Sequence, residues 1–289
     1  MIFATLMLMQ AVYSPETDAV MNRSRARAEE RRAQERDQGE AQRVQDQKAK
    51  DAGLEKRLPP SIAKKLQACL DVATGDAAAG ITFAQDWALD GGGFSAGQCL
   101  GFANAQGENW PQAVKAFDEA ALSAQKEGAP MDAARLWSQA GNAALAGGEA
   151  RKALGFLDAA LGSGLPDDIA KGEIYLDRAR AQVALDQPAK ARPDIDAALK
   201  LAAADPLAWL LSATLARRMD DLKRARHDID EAKRRSPDDA SVALEDGNIA
   251  VLAGDDASAK AAWQRAVTLA PLSDQAAAAR DNIGRLAAK

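Results

Sequence analysis

The residue types that usually carry enzymatic chemistry are scarce in this chain. Its single histidine, His227, lies in the charged stretch 223–235, which is typical of a solvated helix surface. A multi-histidine metal site, a His-Glu-x-x-His motif or a Ser-His-Asp triad would need histidines elsewhere or in company. The glycines at 91–93 are not followed by the Lys-Ser/Thr of a phosphate-binding loop. We therefore expect no catalysis, no Gly-x-Ser-x-Gly motif or equivalent nucleophile elbow, no metal site and no cofactor.

Adjacent aspartates are the remaining candidates for acid–base chemistry. They occur at breaks between predicted helices, where carboxylates cap backbone amides and oppose the helix dipole. We interpret them as helix caps rather than catalytic groups. The pairs are Asp220 with Asp221, Asp238 with Asp239, and Asp255 with Asp256.

A recurring phrase organises the chain between residues 113 and 266. It consists of Ala, three residues, a large apolar residue, two residues and Ala, and its last two intervals are both 34 residues. Residues three and four apart share a helix face, and small ones let a neighbouring backbone approach closely. A fixed period of this length indicates stacked structural units. The copies are Ala113/Phe117/Ala120, Ala153/Leu157/Ala160, Ala191/Ile195/Ala198, Ala225/Ile229/Ala232 and Ala259/Trp263/Ala266.

A helix precedes each copy and completes a two-helix unit. A Gly or Ala recurs twelve residues before the first Ala of each copy, and three units have an aromatic residue four positions earlier. Glycines, or pairs such as Gln187 with Pro188 and Asp220 with Asp221, mark the break between the two helices. Each unit is therefore predicted to be an αα-hairpin. The recurring small residues are Gly101, Gly141, Ala179, Ala213 and Gly247.

These spacings resemble the tetratricopeptide repeat (TPR) family, whose 34-residue pattern combines aromatic, small and large apolar residues with a closing proline. A sixth copy is degenerate, since Ala79 and Phe83 fit but Asp86 takes the second small position. The resemblance implies an all-α fold, a right-handed α-solenoid of five to six hairpins over residues 59–271 with a capping helix over 272–289. An unrelated helical bundle is the alternative. The fullest matches are Trp209, Ala213, Ala216, Ala225, Ile229, Ala232 and Pro237, then Gly247, Ala250, Ala259, Trp263, Ala266 and Pro271.

Prolines mark the start of the repeats. Pro59 and Pro60 interrupt any incoming helix, and Ser61 is predicted to cap the next one. At the other end, apolar residues from Leu272 to Leu286 recur at helical spacing and predict the capping helix. A composition with 47% hydrophobic but only 4% aromatic residues is typical of closely packed helices, so we expect no sheet.

The first 58 residues differ from the repeats. Residues 1–14 form an apolar stretch resembling a signal-peptide core, although no basic residue precedes it and Pro15 follows. We expect export to a bacterial periplasm, with a cytoplasmic chain or a short membrane anchor as alternatives, and membrane contact only through an uncleaved N-terminus. Residues 15–58 are predicted to be a helical or disordered spacer, whose 11 basic and 10 acidic residues nearly cancel, so no nucleic-acid binding is expected.

The two cysteines, Cys69 and Cys99, fall on the predicted first helices of the first two units. Neighbouring helices pack with roughly 8–10 Å between their axes. Cysteines facing that seam therefore approach disulfide distance. In an exported protein, such a bridge would clamp the degenerate first unit to the second. The alternative is a pair of small buried apolar residues.

Without a catalytic signal, the predicted function rests on a surface. Arrays of this kind hold an extended or helical partner segment on the concave side, lined by the first helices. We expect a non-catalytic adaptor or scaffold for a protein or peptide. The alternatives are an accessory or regulatory subunit of an enzyme or assembly complex, and an enzyme with a site on the loops at 124–132 or 162–171. The predicted partner-binding residues are Gln98, Phe102, Arg135, Ser138, Asn142, Glu173, Arg180, Thr214, Arg217 and Asn248.

Overall fold

The computed structural model describes residues 58–163 and 168–288 of the 289-residue chain. The chain divides into two compact units, Met1–Lys64 and Lys65–Lys289. The predicted apolar N-terminus and all but the last residue of the charged spacer lie outside the described residues. Among the described residues, no helix is both long enough and apolar enough to cross a membrane.

All regular secondary structure in the described part of the chain is α-helical, which confirms the predicted all-α repeat fold. The helices are short and follow one another with brief connections. Their bounds are α1 (Pro60–Gly75), α2 (Ala77–Leu89), α3 (Gly93–Gln106), α4 (Trp110–Lys126), α5 (Pro130–Ala146), α6 (Ala150–Gly162), α7 (Asp168–Ala184), α8 (Pro188–Leu201), α9 (Pro206–Arg218), α10 (Leu222–Arg235), α11 (Ala240–Leu252), α12 (Asp256–Leu269) and α13 (Asp274–Ala287).

Helices α1 to α12 form six hairpins, called repeats 1 to 6, each with a first and a second helix. In repeats 2 to 6 the two helices are joined by three residues, and the middle one has a left-handed backbone. That position is Gly148 and Gly254 in two repeats, and Glu108, Asp186 and Asp220 in the other three. Glycine and aspartate tolerate this conformation more readily than most residues do. The predicted hairpin turns are therefore confirmed.

The aspartate pairs at the helix starts act as caps. Asp221, Asp239 and Asp255 each accept a backbone N–H from a residue two or three positions further on, at 2.6 to 3.1 Å. These bonds satisfy amides that the first helical turn leaves without partners. The side-chain and backbone hydrogen bonds from Ser258 lower the pKa of Asp255. One member of each pair therefore has the predicted capping role.

The recurring small residue of each first helix lies against the large residue of the second helix. A Cβ added to Gly101 would lie 2.5 Å from the Phe117 ring, and one added to Gly247 would lie 2.4 Å from the Trp263 ring. Repeat 3 has the same arrangement with Gly141. In repeats 4 and 5 the small residue is alanine and the large one isoleucine, and each pair shares one apolar cluster. Glycine thus accompanies both aromatic partners and Leu157, whereas alanine accompanies the two isoleucines.

Buried apolar residues form a succession of clusters along the array. One cluster runs from Ala113 on α4 to Ala181 on α7, across repeats 2 to 4. Others join α7 to α9, α9 to α11, and α11 to α13. A succession of local cores is the expected result of stacking hairpins, because each repeat buries its apolar faces against its neighbours.

Repeat 1 is attached to repeat 2 by a disulfide. Cys69 on α1 and Cys99 on α3 are bonded, with Cα atoms 6.2 Å apart, and both are fully buried. Beside the bridge α1 and α2 approach closely, since a Cβ on Gly80 would lie 2.4 Å from the Cβ of Ala73. In the chain-entropy description, a bridge across 30 residues stabilises the fold by roughly 3–4 kcal/mol.

The ends of the array differ from the prediction in two details. Helix α1 begins at Pro60, so Ser61 lies within its first turn and the predicted Ser61 cap is wrong. At the other end Ser273 caps α13 and accepts a backbone N–H at 3.2 Å. Leu272 precedes this cap and is fully exposed, whereas the sequence pattern predicted it to be part of the apolar face.

Candidate functional site

The ten predicted partner-binding residues all lie on first helices, namely α3, α5, α7, α9 and α11. We call the surface formed by these residues the first-helix face. The exposure of these side chains differs, because each points in its own direction around its helix and so lies nearer to or farther from the core. Asn142, Glu173 and Arg180 are exposed, whereas Gln98, Phe102, Arg135, Ser138, Thr214, Arg217 and Asn248 are half-buried.

Asp177 on α7 brings two of the predicted residues together across neighbouring repeats. Asn142 on α5 donates a hydrogen bond to its carboxylate, and Arg180 Nη1 lies 2.9 Å from its Oδ1. The Asp177 side chain is only 14% exposed. Burial raises the pKa of this carboxyl, against the opposing effects of the Asn142 hydrogen bond and the Arg180 charge. The carboxylate therefore holds an amide and a guanidinium side by side.

Glu245 on α11 forms a second and larger cluster. Its Oε1 accepts a hydrogen bond from Arg217 Nε at 2.6 Å, and its Oε2 accepts one from Asn248 Nδ2 at 3.1 Å. Asn248 Oδ1 in turn accepts hydrogen bonds from Trp263 Nε1 and Asn282 Nδ2, both at 3.1 Å. Glu245 is only 6% exposed. The cluster thus links repeats 5 and 6 to α13.

A cavity of about 230 Å³ opens beside the Glu245 cluster. Arg217, Asn248 and Arg285 supply polar groups to its lining, and Val251 and Leu252 supply apolar ones. Leu252 is 54% exposed, so it presents apolar surface at the mouth of this cavity. Guanidinium and amide donors beside apolar surface match the carbonyl groups and apolar side chains of a polypeptide.

Two predicted residues have other environments. Arg135 lies 3.9 Å from Asp132 on its own helix, and its Nη1 is buried without a hydrogen-bond partner. Phe102 packs against the apolar cluster of repeats 2 to 4. Much of its ring therefore contributes to the core rather than to the first-helix face.

Sequence reasoning did not find Asp177 or Glu245, although a signal was present. Each lies three residues before a predicted residue, Arg180 or Asn248, and residues at that spacing are neighbours on a helix. The prediction considered only side chains turned outward. The acids that hold those side chains lie deeper, so the prediction missed them.

A repeated polar contact between the first and second helices of repeats 4 and 5 was also missed. Arg178 on α7 donates to both carboxylate oxygens of Asp194 on α8, at 2.8 and 2.6 Å, and this bond raises the pKa of Arg178. In the following repeat Ser212 donates to Asp228 at 2.5 Å. The second pair lies 34 residues after the first at both positions. The repeat period was therefore the signal that could have found it.

Ser212, Asp228 and His227 are the residue types of a hydrolytic triad, but their order differs. Asp228 lies between the other two, bonded to the Ser212 hydroxyl and with one oxygen 2.9 Å from His227 Nδ1. An activated serine needs a base at its hydroxyl, whereas Ser212 is fully buried and bonds the carboxylate. The His227 side chain is 65% exposed, as the sequence predicted. These three residues do not form an activated nucleophile.

A Gly-x-Ser-x-Gly spacing does occur, at residues 93–97, although the sequence reading expected no nucleophile elbow. Such an elbow follows a strand and exposes its serine. Here the segment follows α2 and begins α3, and Ser95 is only 3% exposed. Its small residues serve packing, since a Cβ on Gly97 would lie 2.8 Å from the Cβ of Ala120. In residues 58–163 and 168–288, no group of three or more His, Cys, Asp or Glu residues could hold a metal ion.

Hairpins with these small–large contacts and a polar first-helix face form a helical repeat fold of the TPR type. The solved structure of PilW, a type IV pilus biogenesis factor, matches with a TM-score of 0.62 and 16% identity, over 75% of this chain and 97% of that one. The structure of PilF of Pseudomonas aeruginosa matches with a TM-score of 0.59 and 16% identity, over 74% of this chain and 96% of that one. A chain of the APC/C hetero-tetramer Cut9-Hcn1 matches with a TM-score of 0.61 and 14% identity, over 82% of this chain and 45% of that one. At these identities the similarity shows the fold alone.

The chain therefore has the TPR fold, as its sequence pattern predicted. No protein-family model matches the sequence, and no curated protein matches it.

Replacing Asp177 by Asn should change how stability depends on pH. Because the pKa of Asp177 is raised above its usual 3.8 in the folded chain, its contribution to stability is present at low pH and is lost as pH rises through the folded pKa. The D177N variant does not have this loss. Its free energy of unfolding, relative to wild type, should therefore increase between about pH 4 and about pH 7.

Urea unfolding followed by far-UV circular dichroism measures this difference at the two pH values. A difference that stays constant, or that shrinks as pH rises, would mean that burial of the Asp177 carboxylate does not dominate its pKa.

Proposed function

We propose that this protein is a non-catalytic adaptor or scaffold that holds a segment of another polypeptide along its first-helix face. The observation that carries the proposal is the pair of buried carboxylates, Asp177 and Glu245, that fix amides and guanidiniums on that face. Side chains already held in place lose less conformational freedom when a ligand binds. The amides and guanidiniums held by these carboxylates therefore favour binding of a polypeptide segment.

The two clusters also set the kind of segment that fits. They lie in repeats 3 to 4 and in repeats 5 to 6, so one ligand touching both must extend across several repeats. An extended strand or a helix has the necessary length. The cavity beside Val251 and Leu252 would receive an apolar side chain near one end of such a segment.

We further propose that the protein is exported to an oxidising compartment such as a bacterial periplasm. The bond between Cys69 and Cys99 supports this location, because structural disulfides persist in oxidising compartments and are rare in the cytosol. There, a second candidate function is that of an accessory or regulatory subunit of an exported enzyme or assembly complex. PilW, which shares the fold, is a pilus biogenesis factor.

Changing Arg135, Asn142 and Arg180 together to Ala should release the partner. The triple variant removes two positive charges and one amide from the first-helix face. Losses of about 1 kcal/mol for each of the three contact residues would weaken partner binding by roughly a hundredfold, and partner recovery should fall with it. In-cell crosslinking followed by affinity purification and quantitative mass spectrometry compares the recovery of each partner from wild type and variant.

The matched control changes Gln112, Lys115 and Lys152 to Ala. It removes the same charges and one amide from exposed positions on the second helices α4 and α6. Thermal unfolding of both variants verifies that each is folded. Equal recovery from the triple variant and from wild type would contradict binding on the first-helix face, and a stoichiometric enzyme subunit among the partners would favour the accessory-subunit function.

The two cysteines should be oxidised in cells. Acid-quenched cell protein treated with a thiol-reactive polyethylene glycol should shift in mass only after chemical reduction, and then by two labels. A Cys69→Ser variant leaves one thiol and should be labelled without reduction. Two labels on unreduced wild-type protein would argue against both the structural disulfide and export.

A further inference from the structure

Helix α13 continues the sequence pattern of the first helices. Three of its residues lie 34 residues after a residue of α11, and all six line the cavity beside the Glu245 cluster. The first pair is in contact, since Asn282 Nδ2 donates a hydrogen bond to Asn248 Oδ1 at 3.1 Å. Helix α13 therefore occupies the place of a further first helix, and the cavity lies between two such helices. The pairs are Asn248 with Asn282, Val251 with Arg285, and Leu252 with Leu286.

Arg285 brings an uncompensated positive charge to this cavity. It is exposed, and within residues 58–163 and 168–288 it makes neither a hydrogen bond nor an ion pair. The other cation of the lining, Arg217, is neutralised by Glu245, whose Oε1 lies 2.6 Å from its Nε. None of the described residues that line the cavity is a carboxylate. The cavity therefore lacks a counter-ion for Arg285 in the described part of the chain.

Apolar surface lies directly beside this charge. Leu252 is 54% exposed at the cavity mouth, and Val251 and Leu286 line the cavity while half-buried. With a volume of about 230 Å³, the cavity has room for one leucine-sized side chain. A guanidinium without a counter-ion next to exposed leucine surface is complementary to a carboxylate that stands next to an apolar residue.

We propose that this cavity selects a partner segment in which a leucine-sized apolar residue stands next to a glutamate. The apolar side chain would fill the cavity against Val251, Leu252 and Leu286, and the glutamate carboxylate would pair with Arg285. Arg285 is then a specificity-determining residue of the adaptor. This inference rests on the proposed binding of a segment along the first-helix face, and it adds the sequence that the segment carries at α13.

The donors at the cavity favour a glutamate side chain over a chain-terminal carboxylate. A terminal carboxylate is attached at the base of its own side chain, so it needs several donors that converge at the cavity mouth. Every other polar side chain in the described lining already has a hydrogen-bond partner, namely Arg217, Asn248, Trp263 and Asn282. Arg285 remains, and an exposed guanidinium suits a carboxylate on a flexible side chain.

The test uses the full chain and a fluorescein-labelled peptide of about sixteen residues that repeats Ser-Ala-Leu-Glu, with blocked termini, which is long enough to cross several repeats. Fluorescence anisotropy should show saturable binding. A peptide that repeats Ser-Ala-Leu-Gln should bind about three- to fivefold more weakly, and one that repeats Ser-Ala-Ala-Glu about tenfold more weakly. The Arg285→Gln variant should lose the preference for glutamate over glutamine, because the ion pair that produces it is gone.

The control variant Arg151→Gln makes the same change in charge at an exposed residue of α6, and it should keep the wild-type preference for glutamate. The proposal is overturned if Arg285→Gln keeps that preference, if Arg151→Gln loses it equally, or if wild type does not bind the Ser-Ala-Leu-Glu peptide. Tighter binding of a glutamine peptide that ends in leucine with a free carboxylate would assign the cavity to chain termini and would also overturn it.

The triple variant Arg135→Ala, Asn142→Ala, Arg180→Ala separates this inference from the proposed function. If the triple variant weakens peptide binding while Arg285→Gln changes nothing, the first-helix face binds a segment but the cavity does not select it, and this inference fails by itself. If neither variant weakens binding, the peptide does not lie on the first-helix face, and the result contradicts both.

Discussion

The structure depends on one steric constraint that recurs in each of repeats 2 to 6. The large residue of the second helix must fit against the small residue of the first helix in the same hairpin. Where the large residue is the ring of Phe117 or Trp263, or the side chain of Leu157, the small one is glycine, and where it is isoleucine, the small one is alanine. This contact sets the register of each hairpin and so decides which first-helix residues point away from the core.

The repeats are held together differently along the array. Repeats 2 to 4 share a continuous apolar cluster, and smaller apolar clusters join the later repeats. Within repeats 4 and 5, the buried polar contacts of Arg178 with Asp194 and of Ser212 with Asp228 also join the two helices of each hairpin. Buried ion pairs recover little net stability after desolvation, so we assign them to the choice of register rather than to strength. Repeat 1, the degenerate copy, has a disulfide to its neighbour instead.

The sequence predicted the hairpins, their turns, the aspartate caps and the helices that carry the candidate residues, because all of these follow from helical period and local turn chemistry. The sequence did not predict which of the partner-binding residues contact a common buried carboxylate. The clusters at Asp177 and Glu245 depend on side chains from adjacent repeats, whose relative depth a single-helix pattern does not encode. The burial predicted for Leu272 was wrong because Ser273 caps α13, so Leu272 precedes the helix and does not share its apolar face.

The most direct measurement compares Gly247→Ala with Gly155→Ala by chemical unfolding. Alanine at 155 meets no atom within 4 Å on an exposed helix position, so it should stabilise the chain by about 0.5–1 kcal/mol. Alanine at 247 places its Cβ on the ring of Trp263 and should destabilise the chain by about 1–3 kcal/mol. If both substitutions change the free energy of unfolding equally, the small–large contact does not control the packing of the hairpins.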